Sequence, residues 1–502
     1  MLSPIYVFAL LLLFLPAFAF YLTARPHNFP RNVPVIPLWV QIRSKLLRTS
    51  RVAFYNVHVR PLAEKHGAVA LWQEDCWTVV VSRPEYIAQV LKNANQELEK
   101  CGTYVRNPHS NGGLFFGENI IDSNGTLHAE FTEIIKPAIT RRFSIDYLQQ
   151  ESRALTTKLC SAQNSVGADV GISVDEVLWR WSINIFAECF LDTREWPLSM
   201  HETSAQKITA VQSRDWVSSV RNMFLIFNFI PWRPIGYRKA TALIQQLDDT
   251  LFDISESRKN PSLGAGDELK LVHRLASAHE AGQLSEFHYR SNLKQLLLAG
   301  HENVEVVLQS AMYELAINPR IQDLLYNEVT SDLPPDYSLN ELDRLPVLAS
   351  IIYETLRLYP PLGTLINRKT IKPMRLGSDI FLPAGTMVGW SAYGVHTDPQ
   401  IWGGRDAARR FDPSRWGSTI QDVRQTARSA QARGQFVPFS LHARRCLGST
   451  FALAQLKVGL CEMVRRVEWT QARQSEFEFN KSFIIGPFNC KFKVAERRQS
   501  PE

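Results

Sequence analysis

FVPFSLHARRCLG, residues Phe436 to Gly448, is the stretch that decides how the rest of the chain is read. Its single cysteine, Cys446, follows Arg444 and Arg445 and precedes Leu447 and Gly448. Phe439 lies seven residues before the cysteine. The thiolate is the nucleophilic and metal-ligating form of cysteine, and it stays ionised only beside positive charge and backbone N–H donors. The two arginines supply the charge. Leu447 and Gly448 are placed to open a helix whose N–H groups point at the sulfur.

Working back along the chain, three further segments carry charge or small residues at telling spacings. IIYETLRLYPP holds Glu354 and Arg357, three apart and so on one face of a helix. FDPSRW, Phe411 to Trp416, holds Arg415. LLLAGHEN, Leu296 to Asn303, places Ala299, Gly300, Glu302 and Asn303 near the middle of a long helical pattern.

Together, and in this order, the four segments resemble the signature segments of the cytochrome P-450 family. The cysteine loop resembles F-x-x-G-x-R-x-C-x-G, and Glu354 with Arg357 resembles the ExxR pair. FDPSRW resembles the segment whose arginine joins that pair in a buried network. LLLAGHEN resembles the oxygen-binding A-G-x-[DE]-T stretch. The resemblance spans roughly residues 30 to 495 and implies a mainly α fold with small β-sheets: one large haem domain behind an N-terminal transmembrane helix. It implies haem b as cofactor, with Cys446 as axial ligand to the iron and Phe439 beside it. A thiolate on haem iron favours O–O cleavage. Arg368, Arg444 and His128 are the implied propionate partners. Arg368 has the competing reading of a solvated strand residue, and His128 that of a capped or surface histidine. Ala299, Gly300, Glu302 and Asn303 form the implied distal catalytic stretch, though Gly300 alone also suits a close helix crossing. His301 beside Glu302 looks like a metal pair, but the histidine is expected to face away from the iron. His396, in GVHTDP, is expected in a structural turn.

The chain departs from the family pattern at several places. His442 and Ser440 stand where glycine is usual, and Asn303 stands where threonine is usual. His128-Ala-Glu-Phe-Thr132 lacks the helix arginine, so one propionate contact is expected to be lost or replaced.

Composition agrees with a large helical domain. The chain has 502 residues, 45% of them hydrophobic, and carries 56 basic against 49 acidic residues for a net charge of +7. After residue 40 no linker, repeat or charge block appears. No basic stripe is interleaved with stacking aromatics, which argues against nucleic acid. A basic face suits an acidic redox partner or an anionic membrane. Seven dispersed cysteines, with no CxxC, favour a reducing compartment.

Leu2 to Leu22 is an uncharged, mostly apolar run of 21 residues. As a helix it spans about 31 Å, close to a bilayer core. Arg25 and Arg31 follow it, so the body is expected to stay cytosolic. The expected division is a transmembrane anchor at 1–23, a Pro-rich hinge at 24–40 and the catalytic haem domain at 41–502, on the endoplasmic reticulum membrane. The competing reading is a signal peptide cleaved after Ala17-Phe18-Ala19. Under the anchor reading the sequon Asn124-Gly125-Thr126 stays unmodified.

Ser285 is the expected N-cap of a helix running to Asn318-Pro319. Ser338 to Glu341 reads as a capping box, and Ile380 to Val388 reads as a β-hairpin turning at Pro383-Ala384-Gly385. Met223 to Trp232 reads either as a core helix or, by resemblance, as a pocket roof dipping into lipid. By the same resemblance Leu114, Phe115, Phe116, Thr364, Leu365, Phe483 and Ile484 face an apolar or aromatic substrate.

Two function classes follow. The first is a monooxygenase of fungal secondary metabolism, using dioxygen and electrons from NADPH. No flavin or nucleotide domain is in the chain, so a separate NADPH-cytochrome P-450 reductase is the expected partner, with cytochrome b5 as a further candidate. The second is a peroxide-using, oxidative-coupling or rearranging haem enzyme, which Asn303 keeps open.

Overall fold

The computed structural model describes residues 24–73, 76–194, 196–197, 203, 207–208, 211, 234–259, 268–472, 478–479 and 484–497. The expected anchor at 1–23, the apolar segment 223–232 and Phe483 lie outside these residues. Among the described residues no helix is long and apolar enough to cross a membrane.

Seven helices organise the site: α1 Gly125–Thr140, α2 Ile145–Val166, α3 Asp175–Leu191, α4 Ile235–Ser257, α5 Glu286–Ile317, α6 Pro346–Leu358 and α7 Ser449–Arg466. The longest, α5, has 32 residues, about 48 Å at the usual rise. Its start and stop are written locally. The Ser285 hydroxyl accepts from the His288 N–H, and the Asn318-Pro319 pair ends it. Helices α2, α3, α5 and α7 pack on one another around the main core. Two glycines let them approach. A Cβ on Gly300 of α5 would sit 2.1 Å from the Phe186 ring of α3. One on Gly459 of α7 would sit 2.6 Å from the Trp181 ring. Gly300 therefore serves the helix crossing.

The first sheet has its own core, while the second packs on α2 and α5 in the main core. Strands β1 Ala68–Gln73, β2 Cys76–Val81, β3 Leu98–Lys100, β5 Thr364–Thr370 and β8 Met387–Ser391 form one sheet in the order β1-β2-β8-β5-β3. A second sheet, β4-β12-β9, uses β4 Ile172–Ser173, β9 Val467–Gln471 and β12 Lys491–Glu496. Two further pairs occur among the described residues: β6 Met374–Leu376 with β7 Ile380–Leu382, and β10 Glu478–Phe479 with β11 Pro487–Phe488.

The hairpin expected at Ile380 to Val388 does not form. Strand β7 pairs with β6, while β8 pairs with β2 and β5 in another sheet. The turn residues are used instead to pass the chain between sheets. Gly385 takes φ +83°, and its N–H bonds the Thr370 carbonyl at 2.7 Å, which leads the chain onto β5. The capping box at Ser338 is present, but its helix is a single turn, Leu339–Leu342. The proline-rich stretch is tied to the first sheet, for Ala70 of β1 bonds both Pro34 and Ile36 through its backbone.

Glu354 and Arg357 of α6 are fully buried and bonded at 2.8 Å. The Glu354 carboxylate also accepts from Arg415 Nε at 2.8 Å, Trp416 Nε1 at 3.1 Å and the Asp412 N–H at 3.0 Å. Arg357 donates onward to the carbonyls of His396 and Ala408, each at 2.7 Å. Neutral His396 then accepts the Val437 N–H at 2.8 Å, so it fills a structural role. Burial, followed by the Arg357 charge, pushes His396 down to about 3, which keeps that acceptor nitrogen unprotonated. Val437 opens the cysteine loop, so one network joins α6, the FDPSRW turn and that loop.

Breaking one member of such a network leaves a buried charge unpaired, which costs about 3–5 kcal/mol. Glu354→Ala should lower stability by that amount in chemical denaturation. An unchanged midpoint would show that the network does not hold the fold.

Candidate functional site: a cysteine loop, a cationic wall and a distal helix

The loop from Phe439 to Gly448 closes on itself through the Cys446 N–H, which donates to the Phe439 carbonyl at 2.8 Å. Phe439 packs against the main core. Cys446 is the exposed cysteine, Cys76 is intermediate, and the other five are buried. Burial by the surrounding protein still pushes its thiol pKa up. The backbone N–H of Gly448, the Arg445 charge and the Ser449 N–H pull the pKa down. The helix α7 begins at Ser449, so the donors come one residue later than the sequence suggests. Arg444 turns away from the sulfur. Its Nε bonds Asn95 Oδ1 and its Nη2 bonds the Ser123 carbonyl, both at 2.9 Å.

Ser440 and His442, which replace glycines of the family pattern, take φ +57° and +58°. The left-handed conformation costs an L-residue about 1–2 kcal/mol. The loop thus keeps the glycine backbone without glycine, held by the Phe439–Cys446 bond and the two Arg444 bonds.

Beside the loop stands a wall of cations. Lys100 of β3 and Arg368 of β5 are register partners across the sheet. Both are buried, at 7% and 1% exposure. Lys100 is pushed down to about 7 by burial and then by the charges of Arg368 and Arg444. His128 on α1 falls to about 4 through burial, Arg444 and Lys100. Asp122 is the carboxylate that offsets this group. Arg368 keeps Nε and Nη1 without a hydrogen-bond partner among the described residues, as Arg444 does Nη1. A buried guanidinium with unmade bonds is costly unless an anion completes it.

Lys100 was not among the sequence-derived candidates. The signal is its register: β3 alternates buried, intermediate, buried, and Lys100 shares the inward side with Leu98. Asn124 fixes it there, its side chain bonding both the N–H and the carbonyl of Lys100 at 2.7 and 2.8 Å. That use also commits the sequon asparagine to the fold. Thr132, where the helix arginine is missing, bonds the His128 carbonyl at 2.6 Å.

On α5, Ala299, Gly300 and Asn303 are partly buried, while His301 and Glu302 are buried. Asn303 Nδ2 donates to the Ala299 carbonyl at 3.3 Å, and its Oδ1 has no hydrogen-bond partner among the described residues. His301 is committed to the helix packing: its Nδ1 meets the Leu297 carbonyl at 2.6 Å, and its own carbonyl accepts from Ser182 of α3. No metal-holding group of three or more His, Cys, Asp or Glu occurs among the described residues. Of the residues expected to face substrate, Phe115 and Ile484 are buried, Phe116, Thr364 and Leu365 are intermediate, and Leu114 is exposed.

The model of the cytochrome P450 family matches residues 28–494, and the chain belongs to that family. It is an oxidoreductase of the monooxygenase class, similar to named fungal members. It is 33% identical over 455 residues to the cytochrome P450 monooxygenase xanG of Aspergillus fumigatus, covering 89% of this chain and 83% of that one. It is 28% identical to cytochrome P450-DIT2 of Saccharomyces cerevisiae, covering 97% of each. The cytochrome P450 monooxygenase FGM1 of Gibberella zeae is 30% identical, over 79% of this chain and 80% of that one.

Membership implies haem-thiolate iron and dioxygen, and the residues present fit a haem. Haem carries two carboxylates, and the cationic wall offers unmade N–H bonds for anions. Haem-thiolate chemistry needs one accessible sulfur near N–H donors, and Cys446 has both.

Lys100 gives a test of the wall. Anionic propionates stabilise its charged form, so its pKa rises on haem binding. Haem affinity is then full below about 7 and is lost as pH rises above that value through the higher pKa of the haem-bound form. Lys100→Met should release haem faster to an acceptor protein and flatten that pH dependence. Equal release rates and equal pH profiles would remove Lys100 from the site.

Proposed function

We propose that this protein is a haem b monooxygenase in which Cys446 would hold the haem iron through its sulfur and Arg368, Arg444, His128 and Lys100 would hold the haem carboxylates. The observation that carries the reading is Arg368, buried beside the cysteine loop in a group of cations with two N–H groups unmet. When bound, the haem supplies the redox chemistry and activates dioxygen.

The protein's own residues do the rest. The Glu354, Arg357 and Arg415 network fixes the cysteine loop. Gly448 and Ser449 stabilise the thiolate with their N–H groups. Asn303 anchors to the Ala299 carbonyl and presents Oδ1 to a water, a role an amide fills as well as a hydroxyl. Glu302, buried and next to it in sequence, is the carboxylate that relays a proton there. Phe115, Leu365 and Ile484 exclude bulk water and receive a small apolar or aromatic substrate.

Electrons come from NADPH through a separate reductase, with cytochrome b5 as a second donor. The work belongs to fungal secondary metabolism, a reading supported by the fungal relatives. Residues 1–23 anchor the protein in the endoplasmic reticulum membrane, 24–40 lead from it, and 41–502 form the haem domain. The length of the apolar run supports the anchor. So does the helix Leu38–Leu46 beyond it, which with its C-cap Leu47 exposes Trp39, Leu46 and Leu47 and carries Arg43 and Lys45 in its last turn.

Reconstitution with a P450 reductase tests the function. NADPH consumption should rise with substrate and yield oxygenated product, and 18O2 should label it. Turnover with peroxide that ignores the reductase would overturn the reading.

A further inference from the structure

The distal helix carries acids beyond the motif. Glu302, Glu305 and Gln309 lie three and four apart on α5, so they share one face, and α5 packs against α3. Gln309 Nε2 donates to Asp175 Oδ1 at 2.6 Å, which places the first residue of α3 over that face. Asp175 is exposed to solvent. Glu305 is 7% exposed and Glu302 1%. The charged groups that act on Glu305 are Glu302 on its own helix, Asp175 from α3, and Lys207. A cavity of about 10 Å³ borders Glu302, with Thr203 and His301 in its lining. That is near the size of a single water, and it lies on the Glu302 side of the face, since Glu305 is not in its mainly apolar lining. The face thus runs from an exposed carboxylate, through a buried carboxyl, to the acid next to Asn303.

We propose that Glu305 is the internal proton donor to Glu302 and is resupplied from solvent at Asp175. The inference rests on the oxygen-activating function proposed above. The transfer is a proton alone. It leaves a Glu305 carboxyl oxygen, arrives on a Glu302 carboxylate oxygen through a water, and is replaced at Glu305 from bulk water by way of Asp175. Glu302, having accepted it, turns toward the Asn303 face by a change of rotamer and gives it up there. Burial and the neighbouring Glu302 and Asp175 charges hold the Glu305 pKa well above the carboxylate range, so it carries a proton at neutral pH. Lys207 opposes this as the smallest influence. Glu305 does not itself touch the reacting atoms, and it acts through Glu302.

Glu305→Gln keeps shape and hydrogen bonding but holds no transferable proton. In the holoenzyme at neutral pH, infrared spectroscopy should show a protonated-carboxyl band in the wild type that is missing in Glu305→Gln. With reductase, the variant should make several-fold less product per NADPH and release more hydrogen peroxide. Its solvent isotope effect on coupling should grow, while haem spectrum and melting stay as in the wild type. Glu305→Asp should keep the band and recover part of the coupling, which a purely structural role would not predict. Identical bands in wild type and Glu305→Gln would overturn the proposal, and so would unchanged coupling and isotope effect. A wild type that makes no product with any reductase would defeat the oxygen-activating reading, whereas a missing Glu305 band in a well-coupled wild type defeats the relay alone.

Discussion

The Glu354 carboxylate sits at zero exposure and accepts hydrogen bonds from Arg357, Arg415, Trp416 and the Asp412 N–H. An isolated carboxylate there would be untenable. One partner lies on α6 and three lie within residues 412–416, so satisfying one charge fixes α6 against the Pro413–Trp416 turn, and Arg357 ties in the segment around Ala408. Arg357 carries the constraint to His396, and His396 passes it to Val437. The position of Cys446, nine residues on, follows from that chain of bonds. Replacing the network by apolar residues would remove the desolvation penalty but would also unfasten the loop that holds the sulfur.

The loop and its surroundings are held against resistance. Ser440 and His442 occupy left-handed backbone that favours glycine, and Lys100, Arg368 and Arg444 crowd one wall with Asp122 to offset them. Strain and like charge persist only where other interactions over-determine the geometry, and such sites are where ligands bind. An anion placed among these cations relieves them all at once. The same protein keeps its distal acids on the opposite footing: Glu302 and Glu305 crowd each other, which stores a proton rather than an anion.

Much of this was legible in the sequence because it was local or motif-borne. The limits of α5 follow from Ser285 and Asn318-Pro319, and Cys446, Glu354, Arg357 and Arg415 stand out through the resemblance of their segments to those of the family. What could not be read depended on tertiary placement. The stretch Ile380 to Val388 has hairpin chemistry, but its turn bonds Thr370 of another strand and sends β8 into a different sheet. Gly300 could serve a ligand or a crossing helix, and only the Phe186 ring decides between them. Lys100 has no motif at all, and its inward register appears once β3 is paired with β5. Arg444 and Arg445 look equivalent as neighbours of the sulfur, yet Arg445 acts on the thiol while Arg444 is drawn to Asn95 and Ser123.

The central claim is that Cys446 is a thiolate ligand to haem iron, held in place by the Glu354 network. The most direct measurement is the absorption spectrum of the reduced carbon monoxide complex of wild type and Cys446→Ser. The wild type should show the red-shifted Soret band of thiolate ligation, and the variant should lose it. A Cys446→Ser protein that kept that band would contradict the account at its root.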